Sequence, residues 1–287
     1  MDVWVPVASL LVFGLAAYAT AKMYRTFVRR PSSYPTAKYL AELGRSRPTA
    51  PRLVCLGASI TQGDIGASYV SLLERRLAGS GWAVLNAGIN GDLAVNILAR
   101  LGDVIAAQPT VVTLQIGTND INASMSPQNY QNYVRMGKIT QPPTFADYQA
   151  NVTEIVRRLR TETQARVAVL SIPLITEDLD HEVNQRGDRY SAHLQEVASE
   201  LNVGYLALRE RQKAYLTTTA KKGGQPYENT GRLGMSAIVW SLLGLSWDKI
   251  AERYGNRLTI DNIHSNSISA QMIADLIEGF VRNGHEA

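Results

Sequence analysis

The stretch RLVCLGASIT, residues 52–61, holds the pattern on which the fold depends. An apolar run from Arg52 to Leu56 ends at a glycine, and a run of this length bounded by a turn signal predicts a buried strand. Ser59 follows, between the strand end and a helical pattern. A serine here either caps the helix or lies exposed beside backbone N–H groups that can bind a developing negative charge. Taken alone, the motif favours the helix cap.

The rest of the chain continues this alternation of strand and helix. Four more apolar runs predict strands, at Trp82–Leu85, Val111–Ile116, Val167–Ile172 and Val203–Leu206. Apolar residues at helical spacing predict helices at Ala67–Leu77, Leu93–Ile105, Phe145–Leu159, Arg189–Leu201 and Ile268–Val281. Such alternation indicates an α/β fold with helices on both faces of a parallel sheet. We therefore predict a three-layer α/β/α sandwich around a mostly parallel five-stranded sheet, with the ligand site at the carboxyl ends of the strands.

Two further strand ends carry residues suited to catalysis. The second predicted strand leads into Asn86–Asp92, where Gly88 and Gly91 allow a close approach of the backbone to a ligand. The third leads into Gly117–Asp120, where the amide of Asn119 can donate a hydrogen bond to an oxyanion. Each segment also reads as an ordinary turn, because Gly, Asn and Asp favour turns.

Two of the four histidines follow an aspartate by three residues. His264 follows Asp261 just before the closing helix, and His181 follows Asp178 in a polar loop after the fourth strand. An aspartate at this spacing can hold an imidazole in one tautomer, as the third member of a catalytic triad does. The other two histidines are poorer candidates, since one falls in a helical pattern and one stands near the end of the sequence: His193 and His285.

Together, these segments resemble the sequence blocks of the SGNH hydrolases, also called the GDSL esterase/lipase family. The resemblance covers roughly residues 52–282 in order and spacing, and its blocks are Gly57-Ala58-Ser59, Asn86–Asp92, Gly117–Asp120 and Asp261-x-x-His264. The Gly-Thr-Asn-Asp block and the terminal Asp-x-x-His are the most specific pieces. The resemblance implies the flavodoxin-like fold of that family and a serine carboxylic-ester hydrolase that needs no metal or organic cofactor.

The resemblance also implies a role for each candidate residue. Ser59 would be the nucleophile, His264 its general base, and Asp261 the group that orients His264. The oxyanion hole would consist of the backbone N–H groups of Ser59 and Gly91 and the side chain of Asn119. The substrate would be a small-molecule or lipid ester, hydrolysed through an acyl-enzyme.

Two points stay open in this assignment. Gly88 is an alternative to Gly91 as a backbone donor. Ala58 stands where the first block of the family usually has Asp, which removes a hydrogen-bonding group beside the nucleophile. That departure is the support for a catalytically inactive ligand-binding module with the same fold, and a carbohydrate O-deacetylase of the same family is the other alternative to a general esterase.

The charge of the chain is concentrated near its start. The formal net charge is +4, from 29 basic and 25 acidic residues. Residues 1–38 hold five of the basic residues and one of the acidic ones, so 24 of each remain in the body of the chain. A nucleic-acid surface needs a dense basic face, and none is expected on a neutral body. The single cysteine, Cys55, excludes an internal disulfide.

The first 21 residues predict a membrane anchor. Val3–Ala21 carries no charged residue and is close to the length of about 20 residues that a spanning helix needs. The basic residues follow this run, which favours a single-pass anchor with the catalytic domain in the cytoplasm. A cleaved signal peptide and export are the alternative. We therefore predict an anchor with its basic flank at 1–30, a linker at 31–50 with one short helix around 36–45, and a hydrolase domain at 51–287.

Two stretches do not fit the strand–helix alternation. Asn122–Thr144 is polar and contains three prolines, and Lys221–Arg257 contains the apolar run Met235–Trp247. Long connections in a compact domain are usually functional loops or covers. The run Met235–Trp247 is either a lid over an acyl group or a helix packed on the core, and its helical spacing slightly favours the core.

Overall fold

The computed structural model describes residues 29–218 and 224–283, preceded by residues 14, 17, 18, 20, 21 and 24. Its centre is a five-stranded sheet in which every pairing is parallel and the order is β2-β1-β3-β4-β5. The strands are Arg52–Gly57 (β1), Ala83–Gly88 (β2), Val111–Gln115 (β3), Arg166–Leu170 (β4) and Gly204–Leu206 (β5). The predicted parallel sheet of five strands is confirmed.

Helices follow the strands in the predicted alternation. Numbered in chain order from Ala37, they are Ala37–Ser46 (α1), Ser59–Gln62 (α2), Tyr69–Leu77 (α3), Ala94–Ala99 (α4), Leu101–Ala106 (α5), Thr118–Ser124 (α6), Pro127–Arg135 (α7), Phe145–Glu162 (α8), Glu182–Glu200 (α9), Leu208–Thr218 (α10), Thr230–Leu242 (α11), Trp247–Arg253 (α12) and Ser267–Arg282 (α13). The polar stretch 122–144, which has no place in the alternation, contains helix α7 and the last residues of α6.

Both faces of the sheet are covered by helices, which confirms the α/β/α layering. Along β1 the side chains alternate, because successive residues of a strand point to opposite faces. Leu53 and Cys55 pack with residues of α3, α10 and α13 in one apolar cluster. Val54 and Leu56 pack with residues of α4, α5, α8 and α9 in the other. Both clusters are buried, which explains why β1 reads as a continuous apolar run.

Residues 31–50, predicted to be a linker, contain the helix α1. Just before that helix, the side chain of Tyr34 is buried in the same apolar cluster as Val54 and Leu56. Its hydroxyl donates to Asp103 Oδ2 over 2.8 Å. The segment therefore contributes to the packing of the domain, and the boundary at residue 51 stays a prediction.

The predicted single-pass membrane localisation is wrong. Crossing a bilayer takes a helix of about 20 mainly apolar residues, and among the described residues no helix is long and apolar enough. The transmembrane helix expected before the α/β/α sandwich is accordingly not found among these residues. The prediction that the catalytic domain lies on the cytoplasmic side of a membrane is therefore not supported either. Of the run 3–21, the structure describes residues 14, 17, 18, 20 and 21, and the remainder lies outside the described residues.

Candidate active site

Ser59 lies at the carboxyl end of β1, as the first residue of α2. The N-cap position of this helix is Ala58, and no side chain caps it. The hydroxyl of Ser59 is instead 2.9 Å from Nε2 of His264. The side chain is 7% exposed, so it is nearly buried at the edge of the sheet. The helix-cap interpretation that the local sequence favoured therefore does not hold, because the hydroxyl meets an imidazole.

His264 lies between Ser59 and Asp261. Its Nδ1 is 2.7 Å from Asp261 Oδ2, and its Nε2 faces the hydroxyl of Ser59. Asp261 Oδ1 accepts two backbone N–H groups, from Ile263 over 3.1 Å and from His264 over 2.8 Å. Since the carboxylate accepts the Nδ1 proton, the lone pair of the neutral imidazole is on Nε2, toward the serine.

The carboxyl group of Asp261 stays ionised in its buried position. Burial raises its pKa, but the charge of His264 and the hydrogen bonds from His264 and Ile263 outweigh that effect. The pKa therefore lies below its ordinary value. An ionised carboxylate next to the imidazole stabilises the cation that forms when the imidazole takes a proton.

The rival histidine, His181, is part of a helix terminus. It is the N-cap of α9, where its Nδ1 accepts the backbone N–H of Val183 over 3.1 Å. Its Nε2 is 3.4 Å from Glu228 Oε1, and the side chain of Asp178 accepts the N–H of Asp180. This histidine therefore has neither the aspartate nor the serine hydroxyl that its sequence spacing allowed.

The other histidine of the described residues, His193, does not join the site either. His193 contacts surface side chains of α8 and α9, with Gln149, Thr153 and Glu196 each at 3.4 Å. His285 lies outside the described residues.

The two candidate glycines of the second segment have different environments. The N–H of Gly88 donates to Asn86 Oδ1 over 3.0 Å and is therefore occupied. Gly91 has a φ of +75°, a conformation that L-residues rarely adopt, and a Cβ at this position would collide with the end of Met136. Within the described residues no acceptor takes the N–H of Gly91. Between the two, Gly91 is the available donor.

Asn119 lies in the first turn of α6, directly after β3. Its Nδ2 donates to the backbone oxygen of Asp92 over 2.8 Å, and its Oδ1 accepts from the hydroxyl of Tyr133 over 2.9 Å. An amide nitrogen has two protons, so one remains for a ligand. Asn119 and Ser59 line the same small cavity, which has a volume of about 10 Å³.

A charged network that the sequence analysis did not identify holds these loops together. Asp92 is buried and pairs with Arg100 over 2.8 Å and with Lys138 over 2.7 Å. Arg100 Nη2 also donates to the backbone oxygens of Gly57 and Ala87, each over 2.9 Å. One guanidinium therefore joins the ends of β1 and β2 to the residue that follows Gly91. No local motif marks Arg100, because its partners lie on two separate segments, the end of β1 and residues 86–92.

The loop that carries Asp261 and His264 has a different support. Glu177, buried in the loop after β4, accepts the backbone N–H groups of Arg257, Leu258 and Thr259 over 2.6, 2.7 and 3.3 Å. Its second oxygen is 3.2 Å from Arg257 Nε. In the same loop, the N–H of Thr176 donates to the backbone oxygen of Asn262 over 2.7 Å. Glu177 is a second residue that the sequence analysis missed.

Helix α11 lies against Asp261 at Gly234. A Cβ at this glycine would be 3.2 Å from Asp261 Oδ2, which is tighter than most real contacts. One face of the helix is buried through Leu233, Ala237 and Ile238. The other exposes more than half of each of three apolar side chains, Met235, Val239 and Leu243. The run Met235–Trp247 therefore combines core packing with an exposed apolar face.

The arrangement of a nucleophile, a base and an acid at the edge of a parallel sheet is that of a serine hydrolase. In the described part of the chain, no three His, Cys, Asp or Glu side chains are grouped as metal ligands. The chemistry that the described side chains can perform is proton transfer from a hydroxyl and stabilisation of an oxyanion.

Comparisons with known proteins agree with this class. A family model for the GDSL-like lipase/acylhydrolase family matches residues 55–230. Esterase TesA of Pseudomonas aeruginosa is 31% identical over 131 residues, which is 44% of this chain and 56% of that protein. This chain therefore spans little more than half the length of that curated relative.

Solved structures share the fold at low sequence identity. Axe2, an acetylxylan esterase from Geobacillus stearothermophilus, matches with a TM-score of 0.55 and 17% identity, over 79% of this chain and 92% of Axe2. An acetyl xylan esterase called AlAXEase matches with a TM-score of 0.57 and 23% identity, over 80% of this chain and 99% of that one.

The chain belongs to the GDSL-like lipase/acylhydrolase family, the SGNH hydrolases. The family is one of lipases and acylhydrolases, and the curated relative is an esterase.

Proposed function

We propose that the chain hydrolyses carboxylic esters through an acyl-enzyme on Ser59. The observation that carries this proposal is the continuous contact from Ser59 Oγ to His264 Nε2, at 2.9 Å, and from His264 Nδ1 to Asp261 Oδ2, at 2.7 Å. Both distances are those of hydrogen bonds, and the order of the groups is that of a nucleophile, a base and an orienting acid.

The reaction begins with attack of Ser59 Oγ on the carbonyl carbon of the ester, while His264 Nε2 takes the hydroxyl proton. The tetrahedral oxyanion accepts hydrogen bonds from the backbone N–H groups of Ser59 and Gly91 and from Asn119 Nδ2. When the intermediate collapses, the bond to the alcohol oxygen breaks and His264 returns the proton to it. Water, deprotonated by His264, then attacks the acyl-enzyme. The bond between the acyl carbon and Ser59 Oγ breaks, His264 returns the proton to Oγ, and the acid is released.

Loss of the nucleophile tests this mechanism. Ser59→Ala should lower the rate of p-nitrophenyl acetate hydrolysis by at least about 10³-fold, because no acyl-enzyme can form. It should also abolish labelling by a fluorophosphonate, which reacts only with an activated serine. The matched control is Ser80→Ala, which removes an exposed hydroxyl and should change neither readout.

Two results would contradict the proposal. Undiminished hydrolysis by Ser59→Ala at an unchanged thermal midpoint would remove Ser59 from the reaction. Absence of labelling and of hydrolysis in the unmodified protein would instead support the inactive ligand-binding module that Ala58 raised.

A second candidate, an O-deacetylase acting on carbohydrate, is favoured by the structural comparison. The structural relatives described above include acetyl xylan esterases. A series of p-nitrophenyl esters from acetate to decanoate tests this candidate, together with acetylated xylan fragments. A kcat/KM that is highest for acetate and a release of acetate from the xylan would support it, whereas a maximum at long chains would contradict it.

A further inference from the structure

We propose that Tyr133 is a positioning residue that orients and polarises the amide of Asn119. This inference rests on the proposed function, in which Asn119 is a donor to the oxyanion. It concerns helix α7, which lies in the polar stretch 122–144 that the strand–helix alternation leaves unexplained.

The orientation of the Asn119 amide follows from its partner on one side. The backbone oxygen of Asp92 can only accept, so the group that approaches it over 2.8 Å is Nδ2. The carbonyl Oδ1 of Asn119 then faces the hydroxyl of Tyr133, at 2.9 Å. In this orientation the second proton of Nδ2 remains for the oxyanion.

The partner to which the Tyr133 hydroxyl donates its proton can be assigned in the same way. Asn119 Oδ1 can only accept, so the single phenolic proton is directed toward it. The oxygen of the same hydroxyl accepts from Asn122 Nδ2 over 2.9 Å. Burial raises the pKa of Tyr133 far above its ordinary value, so the hydroxyl remains a donor throughout the working pH range.

The other end of the chain of hydrogen bonds is also fixed by a backbone carbonyl. Asn129 Nδ2 donates to the backbone oxygen of Asn122 over 3.0 Å and contacts its Oδ1 at 3.2 Å. The hydroxyl of Tyr227 donates to the same Oδ1 over 2.6 Å. The Oδ1 of Asn122 is therefore turned toward donors and its Nδ2 toward Tyr133. Backbone carbonyls at both ends of this series of hydrogen bonds therefore fix which atom donates and which accepts in each bond.

This direction has a consequence for catalysis. A donor on Oδ1 draws electron density toward the carbonyl and makes the N–H of the same amide a stronger donor. It also holds the amide in place before charge develops, so that no reorganisation is needed in the transition state. The contribution of Tyr133 should therefore appear in kcat more than in KM.

Substitution of Tyr133 by phenylalanine removes the hydroxyl and keeps the ring. The ring packs with Leu93, Ala123 and Ile139 in a small apolar cluster, which a phenylalanine ring would also fill. Tyr133→Phe should lower kcat for p-nitrophenyl acetate by about 5- to 20-fold, the effect of one hydrogen bond, with KM within about 2-fold. The control is Tyr130→Phe on the same helix, whose hydroxyl donates to the backbone oxygen of Thr140 and which should keep full kcat.

A double-mutant cycle separates positioning from a merely structural role. Asn119→Ala should lower kcat by about 10²- to 10³-fold, and adding Tyr133→Phe to it should cause no further loss, because Tyr133 acts through Asn119. The inference would be overturned if Tyr133→Phe had the same kcat as Tyr130→Phe. It would also be overturned if Tyr133→Phe lowered kcat as much in the Asn119→Ala background as in the unmodified protein. If Asn119→Ala alone keeps full kcat, the proposed oxyanion hole is wrong instead.

A second variant keeps the tyrosine itself. Asn122→Asp replaces the donor to the Tyr133 hydroxyl by an acceptor of nearly the same shape, so the phenolic proton should turn away from Asn119. The expected loss in kcat matches that of Tyr133→Phe, and thermal midpoints of all variants report on folding. Full kcat in Asn122→Asp would contradict the fixed direction of the chain.

Discussion

The two halves of the active site are held in place by different kinds of contact. On the serine side, the loops of Ser59, Gly91 and Asn119 each follow a strand of the sheet, and these strands are neighbours in the order β2-β1-β3. On the histidine side, residues 257–264 follow no strand of the sheet. Their backbone is held by the Glu177 carboxylate and by Thr176. The sheet and the Arg100 network thus position one half, and a few buried polar groups position the other.

The two halves should therefore respond differently to the loss of a single contact. The strand-end loops are held by the backbone ladder and a packed core in addition to the Arg100–Asp92 network, so they have more than one kind of support. The loop of residues 257–264 depends on a buried carboxylate that satisfies three N–H groups, and buried groups are expensive to leave unpaired. Disruption of one contact should therefore damage the histidine side more.

The largest expected effect comes from removal of the base on the histidine side. His264→Ala should lower kcat/KM for p-nitrophenyl acetate by at least about 10³-fold, since Ser59 then has no proton acceptor. His181→Ala is the matched control, because that histidine has the same sequence spacing from an aspartate but caps α9. Steady-state kinetics on both variants provide the measurement, and the reverse ranking would move the site to the loop of residues 178–181.

The second prediction concerns the support of the histidine loop. Glu177→Ala should lower the free energy of unfolding by about 3–5 kcal/mol, because it leaves three backbone N–H groups and Arg257 without their buried partner. Urea unfolding gives this value. The exposed pair of Glu182 with Arg186 offers the control, and Glu182→Ala should cost less than about 1 kcal/mol.

The Glu177→Ala variant also tests whether the two halves of the active site are supported independently. Amide hydrogen exchange in Glu177→Ala should accelerate over residues 257–265 and stay unchanged at the ends of β1, β2 and β3. Equal acceleration on both sides would show that the halves are not independently supported.

The smallest expected effect concerns a buried carboxyl group on the serine side. Asp120 accepts the backbone N–H of Ala94, and burial raises its pKa to about 7. The pKa of the unfolded chain is near 4, so the folded state binds the proton more tightly and stability falls as the pH rises from about 4 through 7. Between pH 5 and 7 this loss amounts to about 2 kcal/mol.

Asp120→Asn removes that titration and keeps an acceptor for Ala94. Urea unfolding of this variant should therefore show a smaller loss of stability between pH 5 and 7 than the unmodified protein shows. An identical pH dependence in the two proteins would mean that Asp120 is already ionised at pH 5.

The sequence predicted the sheet well, because the four strands β1 to β4 are buried on both faces and read as apolar runs. It also pointed to Ser59, Gly91, Asn119, Asp261 and His264, which lie in short segments of recognisable spacing. The spacing alone did not separate His264 from His181, since both follow an aspartate by three residues, and the choice of His264 rested on the family resemblance. The contact with the Ser59 hydroxyl, 205 residues away in the chain, distinguishes them.

The sequence did not identify the residues that act through long-range contacts. Arg100 joins the ends of two strands to Asp92, and Glu177 holds a loop about 80 residues further along the chain. Tyr133 meets Asn119 only because α7 folds back on α6. Nothing in the neighbouring sequence of these residues records their partners.

By itself, the sequence determined the α/β class, the strands, and the segments that carry the chemical groups, because burial and turn formation act over a few neighbouring residues. The tertiary structure was needed to establish which imidazole contacts Ser59, which glycine N–H is available, and which side chains orient Asn119. Those outcomes depend on distances and hydrogen-bond directions between segments far apart in the chain, and such distances exist only once the sheet and its loops have packed.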